Sequence, residues 1–109
     1  MNNLLFSEAA QSDLVEIKRY IAEELENPTA ALSVIRKILN DVRGLESYSM
    51  LGAPLSSIIK IPSDYRFLVS GNYMTFYRIQ GSDVFVDRIL YGRRDYLRIL
   101  FEDSIDFAD

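Results

Sequence analysis

A chain of 109 residues, 49% apolar and 26% charged with a mean hydropathy of zero, has the size and balance of one folded domain, not of a disordered segment. It has no cysteine and no histidine, which excludes a disulfide framework, a thiolate or imidazole metal site and every catalytic scheme built on those two side chains. The formal charge of −4 is unevenly spread: residues 1–56 carry −3, residues 57–101 carry +3 and residues 102–109 carry −4.

Asn3 to Phe6 is a short apolar run that fits an edge strand. Its N-terminal flank has no basic residue and the chain turns acidic at Glu8, a pattern unlike a secretory signal. No apolar run is long enough to cross a bilayer, so the expectation is a cytoplasmic protein without membrane contact. Ser7 offers a hydroxyl cap to a helix whose first turn holds Glu8, where the helix dipole favours an acid. Leu14, Ile17, Ile21 and Leu25 then form a core-facing stripe, with Asp13, Glu16, Lys18, Arg19 and the solvated pair Glu23-Glu24 around it. Asn27-Pro28 stops this helix and starts the next, because Asn caps and Pro fits the first helical position. Ala31, Val34, Ile35, Ile38, Leu39 and Val42 give the second stripe, ended by Gly44. So short a connection demands an antiparallel helical hairpin.

Residues 45–57, with Gly52 and Pro54, read as a connecting loop. Strands are expected at Ser57–Ile61, Tyr65–Ser70, Tyr73–Ile79 and Val84–Leu90, with turns at Pro62-Ser63-Asp64, Gly71-Asn72 and Gln80-Gly81-Ser82-Asp83. Asp95 to Phe101 fits a short helix docked through Leu97, Leu100 and Phe101. The expected architecture is α+β: an N-terminal strand and a helical hairpin packed on a mainly antiparallel four- to five-stranded sheet, with a short C-terminal helix. Residues 1–101 make one domain and 102–109 a loose acidic tail.

The stretch from Gly71 to Tyr96 carries most of the functional information. It is a stiff hairpin ending in Gly92-Arg93-Arg94, so two guanidiniums sit where the sheet stops. Adjacent basic residues at a strand end are most often merely solvated. The alternative is that Arg66, Arg78, Arg88, Arg93, Arg94 and Arg98 partly converge on one face, where their forks suit phosphate or carboxylate. Tyr65, Tyr73, Tyr77, Tyr91 and Tyr96 mostly fit core packing with hydroxyls at the boundary, yet one or two beside arginine suit a protein interface or base stacking. No Ser/His/Asp set, glycine-rich phosphate loop or metal-binding motif is present, and neither a metal nor a cofactor is expected. Ribonuclease chemistry would have to rest on arginine with a tyrosine or carboxylate handling the proton.

Several features together resemble the RelE/ParE toxin superfamily, and its ParE, or plasmid-stabilisation, branch most closely. They are Leu4-x-Phe6-Ser7-x-Ala9 with Asp13-Leu14-x-x-Ile17-x-x-Tyr20-Ile21, Asn27-Pro28 before Ala30-Ala31, Leu51-Gly52-x-Pro54, and Tyr77-Arg78-Ile79 leading to Ile89-Leu90-Tyr91-Gly92-Arg93-Arg94-Asp95. The resemblance implies a type II toxin held by a cognate antitoxin that wraps an extended segment over it, meeting operator DNA only through that antitoxin. ParE-type members inhibit DNA gyrase, whereas RelE-type members cut mRNA on the ribosome. A RelE-like nuclease would draw on Arg94, Arg66 and Tyr96. Met74, however, stands where such nucleases hold an arginine, and a net negative chain suits the ribosome poorly. The ParE-like reading is therefore preferred, without confident catalytic residues and with Arg66, Arg78, Tyr91, Arg93, Arg94, Tyr96 and Arg98 as the binding set for antitoxin or target. The acidic tail is expected to shade this basic surface.

Overall fold

The computed structural model describes residues 1–105. Strand β1 (Asn3–Phe6) leads through Ser7 into helix α1 (Glu8–Arg19). Ser7 fixes that junction with three bonds. Its Oγ accepts from the Ala10 N–H at 2.9 Å and donates to the Asp87 carbonyl at 2.7 Å, and its N–H donates to the Val86 carbonyl at 3.0 Å. One side chain thus caps the helix and ties it to the sheet edge.

Helix α1 runs into a π-type turn at Tyr20–Glu24, closed by the Leu25 N–H on the Tyr20 carbonyl at 3.1 Å. The additional residue in that turn rotates the end of the helix by about 100°. Ile17 and Ile21 stay in the core as expected, but Leu25 swings outward to 56% exposure, a departure from the regular stripe. Glu26 adopts a left-handed φ of 51°, and Asn27 caps helix α2 (Pro28–Arg43) by accepting from the Ala30 N–H at 3.0 Å. Gly44 does not end α2 in a left-handed turn. Its φ of −59° is right-handed, and the chain continues through a 3-10 turn, Gly44–Glu46, that buries Leu45. A Cβ there would lie 3.0 Å from Leu51 Cδ2, a tight contact with a side chain that is itself half exposed.

The sheet has five strands in the order β1-β5-β4-β3-β2, with β1 parallel to β5 and all other pairs antiparallel. Strands β3 (Arg66–Ser70), β4 (Tyr73–Gln80) and β5 (Asp83–Tyr91) form the expected meander. Its two-residue turns place Gly71 and Gly81 at φ +59° and +61°, where a side chain would be strained. The strand expected at Ser57–Ile61 is absent. The edge strand is instead β2 (Ala53–Pro54), two residues long, followed by a 3-10 turn at Leu55–Ser57. Proline cannot extend a ladder, and full burial of Leu55 turns the chain inward beneath the sheet.

Both faces of the sheet are covered. The helix face packs Ala10, Ile17, Ile38 and Val42 against Tyr77, Val84, Val86 and Ile89. The far face packs Leu55, Phe76 and Leu90 against Tyr65, Phe67, Met74 and helix α3 (Tyr96–Ile105). Consecutive residues Phe76 and Tyr77 are therefore both fully buried, one in each core. Each such burial stabilises the fold by roughly 1.5–3 kcal/mol. Helix α3 starts one residue later than expected and continues to Ile105, with a break at Phe101 (φ −123°, ψ 17°). Of the acidic segment 102–109, residues 102–105 are the last four of α3, and 106–109 lie outside the described residues. No helix among the described residues is long and apolar enough to cross a membrane, and no acidic group among them is arranged to hold a metal ion.

Candidate docking site

The six arginines weighed as a convergent set separate into those engaged within the fold and those left exposed. Arg88 is bound through both Nε and Nη2 to Asp13 on α1, each contact at 2.8 Å, and Asp13 also accepts from the Ile89 N–H at 2.9 Å. The reason lies in the sheet: β1 ends opposite Val86, so the edge of β5 beyond it needs partners, and Ser7 and Asp13 supply them. The Asp13 hydrogen bond raises the Arg88 pKa further. Arg78 binds Asp87 at 2.8 Å and lies 5.7 Å from the Tyr65 ring centre. Asp87 is free to do this because it is the residue skipped at a β-bulge, where Phe76 faces Arg88 and Tyr77 faces Val86. Burial, and then Asp87, push the Tyr65 phenol up to about 12.

Arg66 donates from Nη2 to the Met50 and Gly52 carbonyls. Beside it the Tyr77 hydroxyl accepts from the Gly52 N–H at 2.9 Å and donates to the Ser49 carbonyl at 2.8 Å. Arg66 and Tyr77 thus clamp the loop that returns the chain to the sheet. Gly52 sits so close that a Cβ would collide with the Phe67 carbonyl oxygen and lie 2.8 Å from the Tyr77 hydroxyl. Arg66, Arg78 and Arg88 are consequently engaged within the fold. Arg93 and Arg94, both exposed, make no ion pair among the described residues.

Arg94 belongs to the most distinctive concavity of the helix face, a cleft of about 670 Å³ between the end of the helical hairpin and the ends of β4 and β5. Its other defining walls are Tyr20, Leu25, Val34, Tyr73 and Tyr91. Tyr73 and Tyr91 are cross-strand partners whose rings meet edge to face at 5.8 Å and an interplanar angle of 65°. Burial, with Tyr91 and Tyr20 nearby, raises the Tyr73 pKa. The turn that carries Arg94 is held by two bonds, the Gly92 N–H on the Asn72 carbonyl at 2.8 Å and the Arg94 N–H on the Tyr91 carbonyl at 2.9 Å. Two acids, Asp13 and Glu16, also touch the cleft, but they are paired with Arg88 and Arg19. The uncompensated charge at its rim is therefore positive.

Of the sequence-derived set, Tyr91 and Arg94 meet in this cleft and Arg93 is adjacent on the same turn. Arg98 is exposed on α3. Tyr96 points into the far-face core, with its ring 5.1 Å from that of Phe76. Arg66 starts the strand whose last residue, Ser70, faces Tyr73, which places it about 13 Å along the strand from the cleft end. Arg78 stands on the far face, beside a smaller hollow of about 440 Å³ bordered by Asp64 and Phe85. The trio Arg94, Arg66 and Tyr96 is thus dispersed over three parts of the molecule. Tyr20, Leu25 and Tyr73 escaped the sequence-derived set. Leu25 was hidden by the π-type turn, Tyr20 stood only within the resemblance motif, and Tyr73 read as an ordinary boundary aromatic.

A family model described as the ParE toxin of the type II toxin–antitoxin system parDE matches residues 4–96. The chain belongs to the ParE toxin family. The matched stretch runs from β1 to the first residue of α3 and includes the cleft and its arginine turn. This places the protein in the ParE branch of the RelE/ParE superfamily. Among solved structures, one from the chromosomal ParDE TA system of P. aeruginosa superposes with a TM-score of 0.68 at 24% identity, over 82% of this chain and 94% of that one, which shows a shared fold. YafQ from E. coli strain BL21(DE3) superposes with a TM-score of 0.43 at 16% identity, covering 82% and 91% of the two chains. No curated protein matches at a significant level.

Proposed function

We propose that this ParE-family protein is a cytoplasmic toxin that acts by gripping another protein, inhibiting DNA gyrase, and that a cognate antitoxin neutralises it at the cleft. The observation that carries this reading is Arg94, unpaired among the described residues, at the rim of an aromatic cleft and set apart from Arg66 and Tyr96. Tyrosine and arginine in a partly desolvated recess are the usual anchors of protein interfaces. The P. aeruginosa structure comes from a toxin–antitoxin system, and an antitoxin with an acidic, apolar segment would match both the charge and the lining of this cleft. Charge complementarity then accelerates association more than it adds affinity. Contact with operator DNA passes through the antitoxin. Residues 1–101 carry the binding function, with Tyr91, Arg93 and Arg94 as its centre and Arg98 at its margin.

Induction of the protein alone, with DNA and protein synthesis followed separately, tests the proposal. Early loss of DNA synthesis supports it, and co-expression of the antitoxin restores growth. Early translation arrest with cleaved messages would replace it by ribosome-dependent mRNA cleavage. Normal growth would leave an antitoxin-binding module without toxicity.

A further inference from the structure

The two elements that flank the cleft carry opposite charge. From Glu16 to Asn27, the end of the helical hairpin holds four glutamates against Lys18 and Arg19, a net −2. Arg19 lies 2.6 Å from Glu16, 3.4 Å from Glu24 and 3.9 Å from Glu23, and one guanidinium cannot neutralise three carboxylates. Glu26 makes no ion pair among the described residues. From Tyr91 to Arg98, where the sheet ends, three arginines stand against Asp95, a net +2. Between the two charges lie Tyr20 and Leu25 from the hairpin and Tyr73 and Tyr91 from the strands.

Leu25 is held at this lip against local preference. The π-type turn replaces regular α bonds, the Asn27 N–H reaches back to the Ile21 carbonyl at 3.1 Å, and Glu26 takes a left-handed φ of 51° where glycine is usual. Leu25 and Tyr20 stay exposed and belong to neither core. We propose that the cleft takes a segment of a partner protein in which an apolar side chain lies between a basic and an acidic residue. The apolar group sits among Tyr20, Leu25, Tyr73 and Tyr91, the acid meets the Arg93-Arg94 turn, and the base meets the glutamates around Leu25. A segment laid the other way would set like charges together at both ends, so the same pattern fixes its direction. The inference rests on the reading of this cleft as the docking site and adds the base to it, because a segment acidic throughout would be repelled at the hairpin lip.

Two labelled synthetic peptides with the same leucine–phenylalanine centre test this on the full chain. One carries lysines at one end and aspartates at the other, and its control carries aspartates at both ends. The bipolar peptide should bind about fivefold more tightly, the range of exposed ion pairs. The preference should reverse in the Glu23→Lys/Glu26→Lys variant, whose changes lie at exposed positions and should leave the urea midpoint unchanged. Equal or tighter binding of the control to the unaltered chain would overturn the proposal, as would binding of neither peptide at millimolar protein.

The cognate antitoxin gives a second measurement. Its association with Glu23→Lys/Glu26→Lys should slow severalfold at low salt, whereas a partner segment acidic throughout would associate faster with that variant. Faster or unchanged association would overturn the proposal while leaving the cleft as the docking site. Full antitoxin affinity in Tyr91→Ala/Arg94→Ala would instead overturn the docking site itself, so the two readings can fail separately.

Discussion

The two faces of the sheet use the same residue types to opposite ends. On the far face, Tyr65, Arg78 and Asp87 form a closed set, Tyr96 stacks near Phe76, and α3 with the loop after Leu55 covers the rest. On the helix face, the hairpin stops short of the sheet's end, and Tyr20, Tyr73, Tyr91 and Arg94 remain around an open cleft. An arginine that has met a carboxylate inside the fold is spent on stability. One left without it among the described residues keeps its charge open to solvent. The difference lies in what the topology brings opposite each residue, not in the residue itself.

Substitutions should separate the two roles, and the largest effect belongs to the internal pair. Asp13→Ala leaves Arg88 without its carboxylate and the Ile89 N–H without an acceptor. The expected loss is about 3 kcal/mol of folding stability, seen as a fall in the midpoint of urea denaturation. A loss no larger than that of an exposed substitution would end the claim that Arg88 is structural. Tyr91→Ala combined with Arg94→Ala is the converse case. Affinity for the cognate antitoxin should drop by about 2 kcal/mol or more, close to thirtyfold. Folding stability should change by only about 0.5 kcal/mol. Arg94→Ala should also reduce growth arrest more than Arg19→Ala, whose guanidinium serves exposed acids of its own helix.

Arg78→Ala sharpens the contrast from the far face. Its pair with Asp87 is partly exposed, so the expected cost is about 1 kcal/mol of stability with antitoxin affinity unchanged. Isothermal titration and urea denaturation on one preparation would check both halves. Lost affinity with full stability would move Arg78 to the docking surface.

Whether a residue's role was legible in the sequence depended on how far away its partner stood. Ser7, Asn27-Pro28, Gly71-Asn72 and Gly81 announced caps and turns because their chemistry is local. Gly44 announced a helix end but takes a right-handed φ of −59°, and the chain runs on into a 3-10 turn that buries Leu45, a tertiary demand that helix-end statistics do not contain. The Ser57–Ile61 run looked like a strand, yet burial of Leu55 and the prolines beside it outweighed β-propensity. Leu25 left the core through a single additional residue in one turn. The arginines were the hardest to read. Arg88 finds Asp13 75 residues away, whereas Arg94 has no such partner among the described residues, and residue identity cannot separate those outcomes. Tyr91 and Arg94 could be grouped in the sequence because Tyr91 ends β5 and Arg94 follows in the adjoining turn. Tyr20 and Leu25 joined them only through the helical hairpin.

The smallest expected effect is a titration, and it tests how closed the far face is. Tyr65 is held neutral chiefly by burial and secondarily by Asp87, so its phenol ionises near 12 instead of near 10. A raised folded-state pKa means that its contribution to stability is complete below about pH 10 and is lost as pH rises from there through 12. Asp87→Asn removes the secondary cause and leaves burial, so the Tyr65 transition should move down only part of the way. Absorbance at the tyrosinate band, with Tyr65→Phe identifying the transition, checks this. A Tyr65 that titrates near about 10, the ordinary phenol value, would show that solvent enters the Tyr65–Arg78–Asp87 set, and the far face would then be as open to a partner as the cleft.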